Sequence, residues 1–584
     1  MTTALRVLIV GGYGIFGGRL VELLQDDARL TLLVAGRSLE KAREFCQRLG
    51  AANARLEPVH FDRSTSDARA VAALQASLVV DASGPFQAYG NDRYRLIENC
   101  IACGVHYLDL ADGSDFVAGV ARFDTAARAA GVYVLSGASS FPVLTAAVVR
   151  RLSDGMAAVL SIRGGIAPSP YAGVGMNVIR AIASYAGQAV SRRREGRLCN
   201  GYPFTESMRF VIAVPGRTPL RCTRFSLVDV PDLRALAQEW PQATDVWMGA
   251  GPVPAALHWA LTALAWLVRW RWLPTLSWLA PVIAFVTNHV RWGEHRGGMF
   301  VVVRGRDDVG GELVREWHLL AEGNDGPLIP CMAVEAVVRR ALAGNAPARG
   351  ARTAIHDVEL ADYEALFAQR TIFTSTRQRV PATRHPLYRE LLGQAWQQLS
   401  KPLQQLHTVD AAASTFAGRC TVERGRSPLA WIVAAIVGFP PAGENLPITV
   451  HLIAEADAER WSRSVAGSTF SSVQSAGRGR AEGLVRERFG AVAVDMALVV
   501  EPGRLVYVVR RWSFLGVSLP LWLGPRSVAM ETADRQNFCF DVRVAHPLTG
   551  LIVRYRGWLV REPGDLAFTQ VSSDCTTPPP TPTG

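Results

Sequence analysis

The stretch Val7-Leu8-Ile9-Val10-Gly11-Gly12-Tyr13-Gly14-Ile15-Phe16-Gly17-Gly18 decides how the N-terminal part of this chain folds. Its opening run is short, apolar and β-branched, which reads as a buried parallel strand. Gly12-x-Gly14-x-x-Gly17 follows at once, with a helical pattern behind it. In that context the glycines form a dinucleotide fingerprint. The first allows the tight turn, the second the approach of a pyrophosphate, and the third close packing of helix on strand. Phosphates then sit at the helix N-terminus, where unpaired N–H groups and the helix dipole favour an anion. Gly12, Tyr13, Gly14, Ile15, Phe16 and Gly17 are the expected loop contacts.

The next apolar run, Leu30 to Ala35, ends in Gly36-Arg37-Ser38. An Asp or Glu at this point holds the ribose 2′-hydroxyl of NAD, whereas Arg accommodates the 2′-phosphate of NADP. Arg37 and Ser38 therefore argue for NADP, with Lys41 one helical turn on as a further point charge. The competing reading of Arg37 is a solvated surface residue. A third strand, near Leu56 to Phe61, ends in Asp62, placed for the adenine side of the ligand.

The fourth run is Leu78-Val79-Val80-Asp81-Ala82-Ser83-Gly84-Pro85-Phe86, followed by Tyr89-Gly90 and later by Gly104-Val105-His106-Tyr107-Leu108-Asp109. With the two earlier motifs, this resembles the NADP-binding domain of the saccharopine-dehydrogenase-like family over about the first 140 residues. The resemblance implies that the loop Ser83, Gly84 and Pro85 lies beside the cofactor, and that the His-Tyr-x-Asp segment faces the nicotinamide. Where the family often shows Gly-Glu after that Asp, this chain has Ala111-Asp112-Gly113. Tyr107 is the candidate proton donor and Asp109 the group that orients it. The alternative is that His106 and Tyr107 pack between helix and strand while Asp109 caps the next turn.

At 584 residues the chain calls for several domains. The reading is an α/β Rossmann domain over 1–140 and an α+β substrate domain over 141–342. The resemblance places a return to the first domain near 326–342. A linker follows over 343–384, then a C-terminal β-rich domain over 385–562 and a disordered Pro/Thr-rich tail over 563–584. Motifs such as Arg488-Phe489-Gly490 and Tyr555-Arg556-Gly557-Trp558 resemble a bacterial domain of unknown function often fused behind saccharopine-dehydrogenase-like modules. Within it, Phe514 to Leu523 reads as packed core rather than as a pocket lining or lipid contact.

Residues 255–292 hold Trp259, Trp266, Trp270, Trp272, Trp278 and Trp292 among Leu, Ala and Val, broken by Arg269, Arg271, Pro274 and Pro281. Each half is shorter than the ~20 residues of a spanning helix. Trp with Arg is the pairing of the lipid headgroup level, so the segment reads as an apolar helical hairpin dipping into one leaflet. The alternatives are a buried helical pair, or a lid over an apolar substrate pocket. Saccharopine-like reductases also tend to carry an apolar insertion near here.

Hydrophobic residues make up 49% and the net charge is +11, which favours acidic surfaces including anionic lipid. Lys41 and Lys401 are the only lysines, so Lys-based catalysis has two candidates. The nine dispersed cysteines do not form a disulfide framework, and Cys100 and Cys103 read as buried thiols rather than metal ligands. There is no nucleic-acid stripe, metal motif or hydrolase elbow.

The expected function is an NADP-dependent oxidoreductase acting on a hydrophobic, lipid-like enoyl or carbonyl substrate at the membrane surface. The competing readings are a non-catalytic NADP-responsive lipid-binding protein, and a soluble amino-acid dehydrogenase of the saccharopine type. A homodimer and a cytoplasmic location, with or without attachment to the inner face of the membrane, complete the expectations.

Overall fold

The computed structural model describes residues 4–251, 255–289, 293–379, 386–409, 414–455 and 457–562. The chain divides into two compact units, residues 1–214 with 220–381, and residues 215–219 with 382–584.

The first unit begins with six strands, each followed by a helical crossover. They are β1 (Leu5–Val10), β2 (Leu30–Gly36), β3 (Arg55–His60), β4 (Leu78–Asp81), β5 (His106–Asp109) and β6 (Tyr133–Ser136). All pair in parallel, in the order β6-β5-β4-β1-β2-β3. Val7 to Ile9 and Leu32 to Ala35 are buried, as a sheet covered on both faces requires. The order reverses beside β1, so the crevice beyond the strands' carboxyl ends opens there, at the glycine turn.

A second, mixed sheet of seven strands follows, built around Ala158–Ala167 and Gly297–Arg306. The expected strands after the hairpin are present as Gly297–Arg306 and Glu312–Ala321. The return helix runs over Ile329–Leu342 and packs on α1 (Ile15–Leu24), where the Cys331 thiol donates to the Phe16 carbonyl at 3.3 Å.

Within the expected linker 343–384, the described residues 343–379 add strands to both sheets, and 380–384 lie outside the described residues. Gly350–Thr353 adds a seventh parallel strand beside β6, and Ile372–Arg379 closes the edge of the second sheet against Glu312–Ala321. Gly350–Thr353 is only four residues long and Ile372–Arg379 is polar after its first two residues, so both gain their register from the sheets they join.

In the hairpin, helices Ala255–Arg269 and Ala280–His289 each have a covered and an open face. Leu261, Ala265 and Val268 are buried, at helical spacing, while Trp259, Trp270, Trp272, Trp278 and Phe285 are exposed. Trp292 lies outside the described residues. Among those residues no helix is long and apolar enough to cross a membrane.

The second unit is an antiparallel barrel preceded by short helices at Leu387–Leu392 and Lys401–Leu406. Pairing of Val492–Glu501 with Arg504–Phe514 closes the ring, leaving the three-residue strand Val517–Leu519 at its edge. The expected packing of Phe514 to Leu523 does not hold. Phe514, Leu515, Val517, Leu521 and Trp522 are exposed, because this segment forms the turn, the edge strand and the short helix beyond the closed ring. The tail from residue 563 lies outside the described residues.

Candidate functional site

The glycine turn is built by steric necessity. A Cβ at Gly17 would collide with the Gly11 carbonyl, and one at Gly12 would stand 2.9 Å from the Ile9 carbonyl. Gly11 adopts φ +79°, the left-handed region that other residues avoid. The turn delivers the chain into α1 with Gly14 as N-cap and no acidic side chain in the first turn. Its leading N–H groups have no intrahelical acceptor. Ile15 is exposed and Phe16 half-buried at the rim of this anion-accepting end.

Tyr13 braces the next strand end. Its ring lies where a Cβ of Gly36 would be, and its hydroxyl accepts from the Ser38 amide at 3.0 Å. Arg37 and Lys41 are exposed and close no ion pair among the described residues. The Ser38 hydroxyl caps the following helix by accepting from the Lys41 amide at 3.3 Å. Asp62 accepts from the Ser64 amide and hydroxyl, at 2.9 and 2.6 Å. Those bonds, with help from Arg37, hold its carboxyl below the usual range.

The loop Ser83, Gly84, Pro85 is held from two sides. Asp81, fully buried, accepts from the Ser83 amide at 3.0 Å, while Arg63 lies 3.5 Å from its other oxygen and stacks on Tyr89 at 3.4 Å. From the helix Met176–Tyr185, Asn177 donates to the Ser83 and Gly84 carbonyls, each at 3.0 Å.

These loops open onto a cavity of about 620 Å³. Ile15, Phe16 and Ser83 to Phe86 form its nucleotide-domain wall. Leu257, Leu261, Leu264 and Ile283 of the hairpin form part of the opposite one, so the inner face of the hairpin covers the space. The walls are mainly apolar, and Asp112, Asp229 and Tyr185 supply polar groups.

Asp112 accepts from Gln87 Nε2 at 3.1 Å, and Asp229 from the Ser114 hydroxyl at 2.6 Å. Loss of water around each carboxyl raises both above the usual Asp range, and the Asp229 charge adds to the rise at Asp112. Both keep some accessible surface because the cavity reaches them. Burial also lifts the Tyr185 phenol well above its ordinary value, with both carboxylates contributing.

The expected catalytic pair lies elsewhere. Tyr107 is 1% exposed and belongs to the apolar core between sheet and helices. Asp109 is fully buried, and one oxygen accepts from the Ala111 amide at 3.0 Å, the Ser136 hydroxyl at 3.0 Å and the Gly137 amide at 2.7 Å. Neither lines the cavity. Burial lifts the Asp109 carboxyl to about 7, yet its bonds tie the ends of β5 and β6 together. Asp112 was legible only as a departure from the usual Gly-Glu, and Asp229 and Tyr185 carried no motif. Cys100 is buried, and Cys103 is half-buried with its thiol 3.0 Å from the Ala68 carbonyl.

With this geometry in place, the comparisons with known proteins are specific at both ends of the chain. Residues 7–135 match the family described as "Saccharopine dehydrogenase NADP binding domain", and residues 399–559 match "Domain of unknown function (DUF4166)". The chain joins a saccharopine-dehydrogenase-type NADP-binding domain to a DUF4166 barrel. Residues 7–135 are thereby of the NADP-binding kind.

Similar solved structures include a saccharopine dehydrogenase (L-Glu forming) from Saccharomyces cerevisiae, with 12% identity and a TM-score of 0.45, covering 64% of this chain and 100% of that one. A biliverdin reductase from Synechocystis sp. PCC 6803, solved with biliverdin and NADP+, shares 15% identity at a TM-score of 0.29, covering 59% of this chain and 92% of its own. No curated protein matches the chain in sequence.

The residues present fit NADP. The turn has no room for a Cβ at Gly17, and α1 carries no acid in its first turn. The residues at the end of β2 and one turn beyond are the unpaired cations Arg37 and Lys41, with no carboxylate at position 37 or 38. A 2′-phosphate suits this set, and a bare ribose 2′-hydroxyl leaves both charges unused.

Proposed function

We propose that this protein is an NADP-dependent oxidoreductase for a hydrophobic, lipid-like enoyl or carbonyl compound, which it meets at a membrane surface. The observation that carries the reading is the cavity. It runs from the glycine turn and the Ser83–Pro85 loop to an apolar helical cover, and it holds Asp112 and Asp229 in walls that are mainly apolar, with Arg19, Asn177 and His295 among their polar members. Such a space suits a long apolar body with one polar function.

Gly12, Gly14, Gly17 and the first turn of α1 would hold the pyrophosphate, with Tyr13, Ile15 and Phe16 beside it. Arg37, Ser38 and Lys41 would hold the 2′-phosphate, Asp62 would face the adenine side, and Ser83 to Pro85 would border the nicotinamide side. When bound, the cofactor supplies the hydride that adds to the electrophilic carbon in the reducing direction. The electron pair displaced from the C=O or C=C bond then takes one proton, on the carbonyl oxygen or on the α-carbon. Asp112, whose carboxyl is raised above the usual Asp range by burial and by the Asp229 charge, is the donor in this reading, and Tyr185 shapes the same polar end. The apolar walls exclude water from the transfer.

The outer face of the hairpin supports the membrane part of the reading. Trp272 is 74% and Phe285 63% exposed beside Arg271, the composition of an interfacial segment.

The test is incubation with NADPH deuterated at the transferring carbon, together with enoyl and carbonyl lipids, and mass analysis of the lipid. Deuterium at the β-carbon or carbonyl carbon is expected. No transfer across the panel, with NADPH and lipid both bound, would replace the enzyme by a cofactor-responsive lipid binder.

A further inference from the structure

One end of the C-terminal barrel presents an apolar surface that the oxidoreductase reading does not use. The helix Pro428–Val437 reads Pro-Leu-Ala-Trp-Ile-Val-Ala-Ala-Ile-Val, with no polar side chain. It seats Ala430 and Ala434 against Ile552 and leaves Leu429, Trp431 and Ile432 open, Trp431 at 65%.

Strand register places four segments at this same end. The helix follows the strand Ser414–Arg424. Phe514 pairs with Val492 and opens the turn that carries Leu515, 73% exposed. His546 pairs with Gly550 across the turn that carries Leu548, 74% exposed. The His546 ring is also 2.9 Å from the Leu523 carbonyl, tying that turn to the short helix in which Trp522 is 71% exposed. A rim with this much open apolar surface marks an interaction site.

The charges around the rim say what it meets. Arg426, Arg488 and Arg526 are exposed there and close no ion pair among the described residues, against the single exposed acid Glu444. Two Trp rings beside unpaired Arg groups match the headgroup level of a bilayer bearing anionic lipid. The ten-residue helix is too short to span, and its length and composition suit an interfacial position.

We infer that this end of the barrel docks on an anionic lipid bilayer. The inference uses the barrel's own residues and is independent of the hairpin.

The experiment uses the full chain and sucrose-loaded vesicles of phosphatidylcholine, with or without phosphatidylglycerol. Four proteins are compared: wild type, Trp431→Ser/Trp522→Ser, Trp272→Ser/Trp278→Ser, and all four substitutions together. All replaced residues are exposed, and circular dichroism melting checks each fold. Wild type is expected to prefer the anionic vesicles. The barrel pair is expected to weaken that binding about tenfold or more, with the hairpin intact or substituted. Unchanged binding in both backgrounds overturns the inference. So does a wild-type dimer, seen by sedimentation velocity, that the barrel pair dissolves without altering vesicle binding, since the rim is then a self-association surface. Loss of binding with the hairpin pair alone speaks to the hairpin reading and leaves the barrel result separate.

Discussion

Asp109 and Asp112 lie three residues apart and serve different parts of the molecule. Asp109 ends β5 inside the sheet, where the ends of β5 and β6 present three donors to one of its oxygens. Asp112 stands in the loop beyond, at the wall of the cavity, within the field of Asp229. The same contrast recurs at other strand ends. Gly36 closes β2 in the core while Arg37 beside it is open, and Asp81 is buried beneath Ser83, which lines the cavity. In a parallel sheet the last strand residue satisfies the backbone of the turn, and the residues just beyond it meet the ligand.

Four substitutions break or sharpen this contrast. The largest effect is expected from Asp112→Asn, which removes the proposed acid and keeps the shape. Single-turnover hydride transfer should fall about 100-fold or more with NADPH affinity unchanged, since general acid catalysis contributes on that scale. Equal activity in this variant would return the role to another group.

Arg37→Asp extends the contrast to β2. NADPH affinity by nicotinamide fluorescence should fall roughly 10- to 100-fold, with NADH affinity much less affected, because one charge-assisted contact to a phosphate is lost.

Asp109→Asn tests the structural side. The folded carboxyl titrates at about 7, above the ordinary Asp value of 3.8, so the folded state holds the proton more tightly than the unfolded one. Its contribution to stability is therefore full below the unfolded pKa and is lost as pH rises through the folded one. Relative to wild type, the variant's melting temperature is expected to rise as pH goes from about 4 to about 8 and to stay higher above that, by calorimetry. A variant that gains nothing at high pH would mean that the ionised carboxylate is worth its burial there.

Tyr107→Phe should change least. Stability within about 1 kcal/mol and unchanged hydride transfer are expected for a ring that works by packing. A large activity loss would restore Tyr107 as a proton donor.

The nucleotide half of the site was legible because its chemistry is local. Glycine spacing, the cation after β2 and the Ser-Gly-Pro loop each act within a few residues of a strand end. The acidic half was not legible, since Asp112, Asp229 and Tyr185 meet only when the second sheet and the helix Met176–Tyr185 close over the first domain. Tyr107 was misplaced by the period of the strand. Its side chain points to the helix layer, and the sequence shows a polar residue at the right edge without showing which face it takes. The strands Gly350–Thr353 and Ile372–Arg379 hid for a related reason, the first being four residues long and the second polar after Ile372 and Phe373.

The Trp-rich hairpin gave away its composition but not its two faces, one lining the cavity and one open. The segment Phe514 to Leu523 misled in the opposite sense. Its apolar run matches a core strand, and only the closed barrel shows that it forms a turn, an edge strand and a short helix outside the ring.

The most direct test of the central claim is a carboxyl-carbon NMR titration of the full chain labelled at aspartate, assigned with Asp109→Asn, Asp112→Asn and Asp229→Asn, with and without NADPH. The account predicts raised titrations for Asp112 and Asp229 that move when NADPH fills the adjoining loops, and a raised titration for Asp109 that does not. Ordinary titrations at Asp112 and Asp229, with Asp109 alone responding to NADPH, would contradict it.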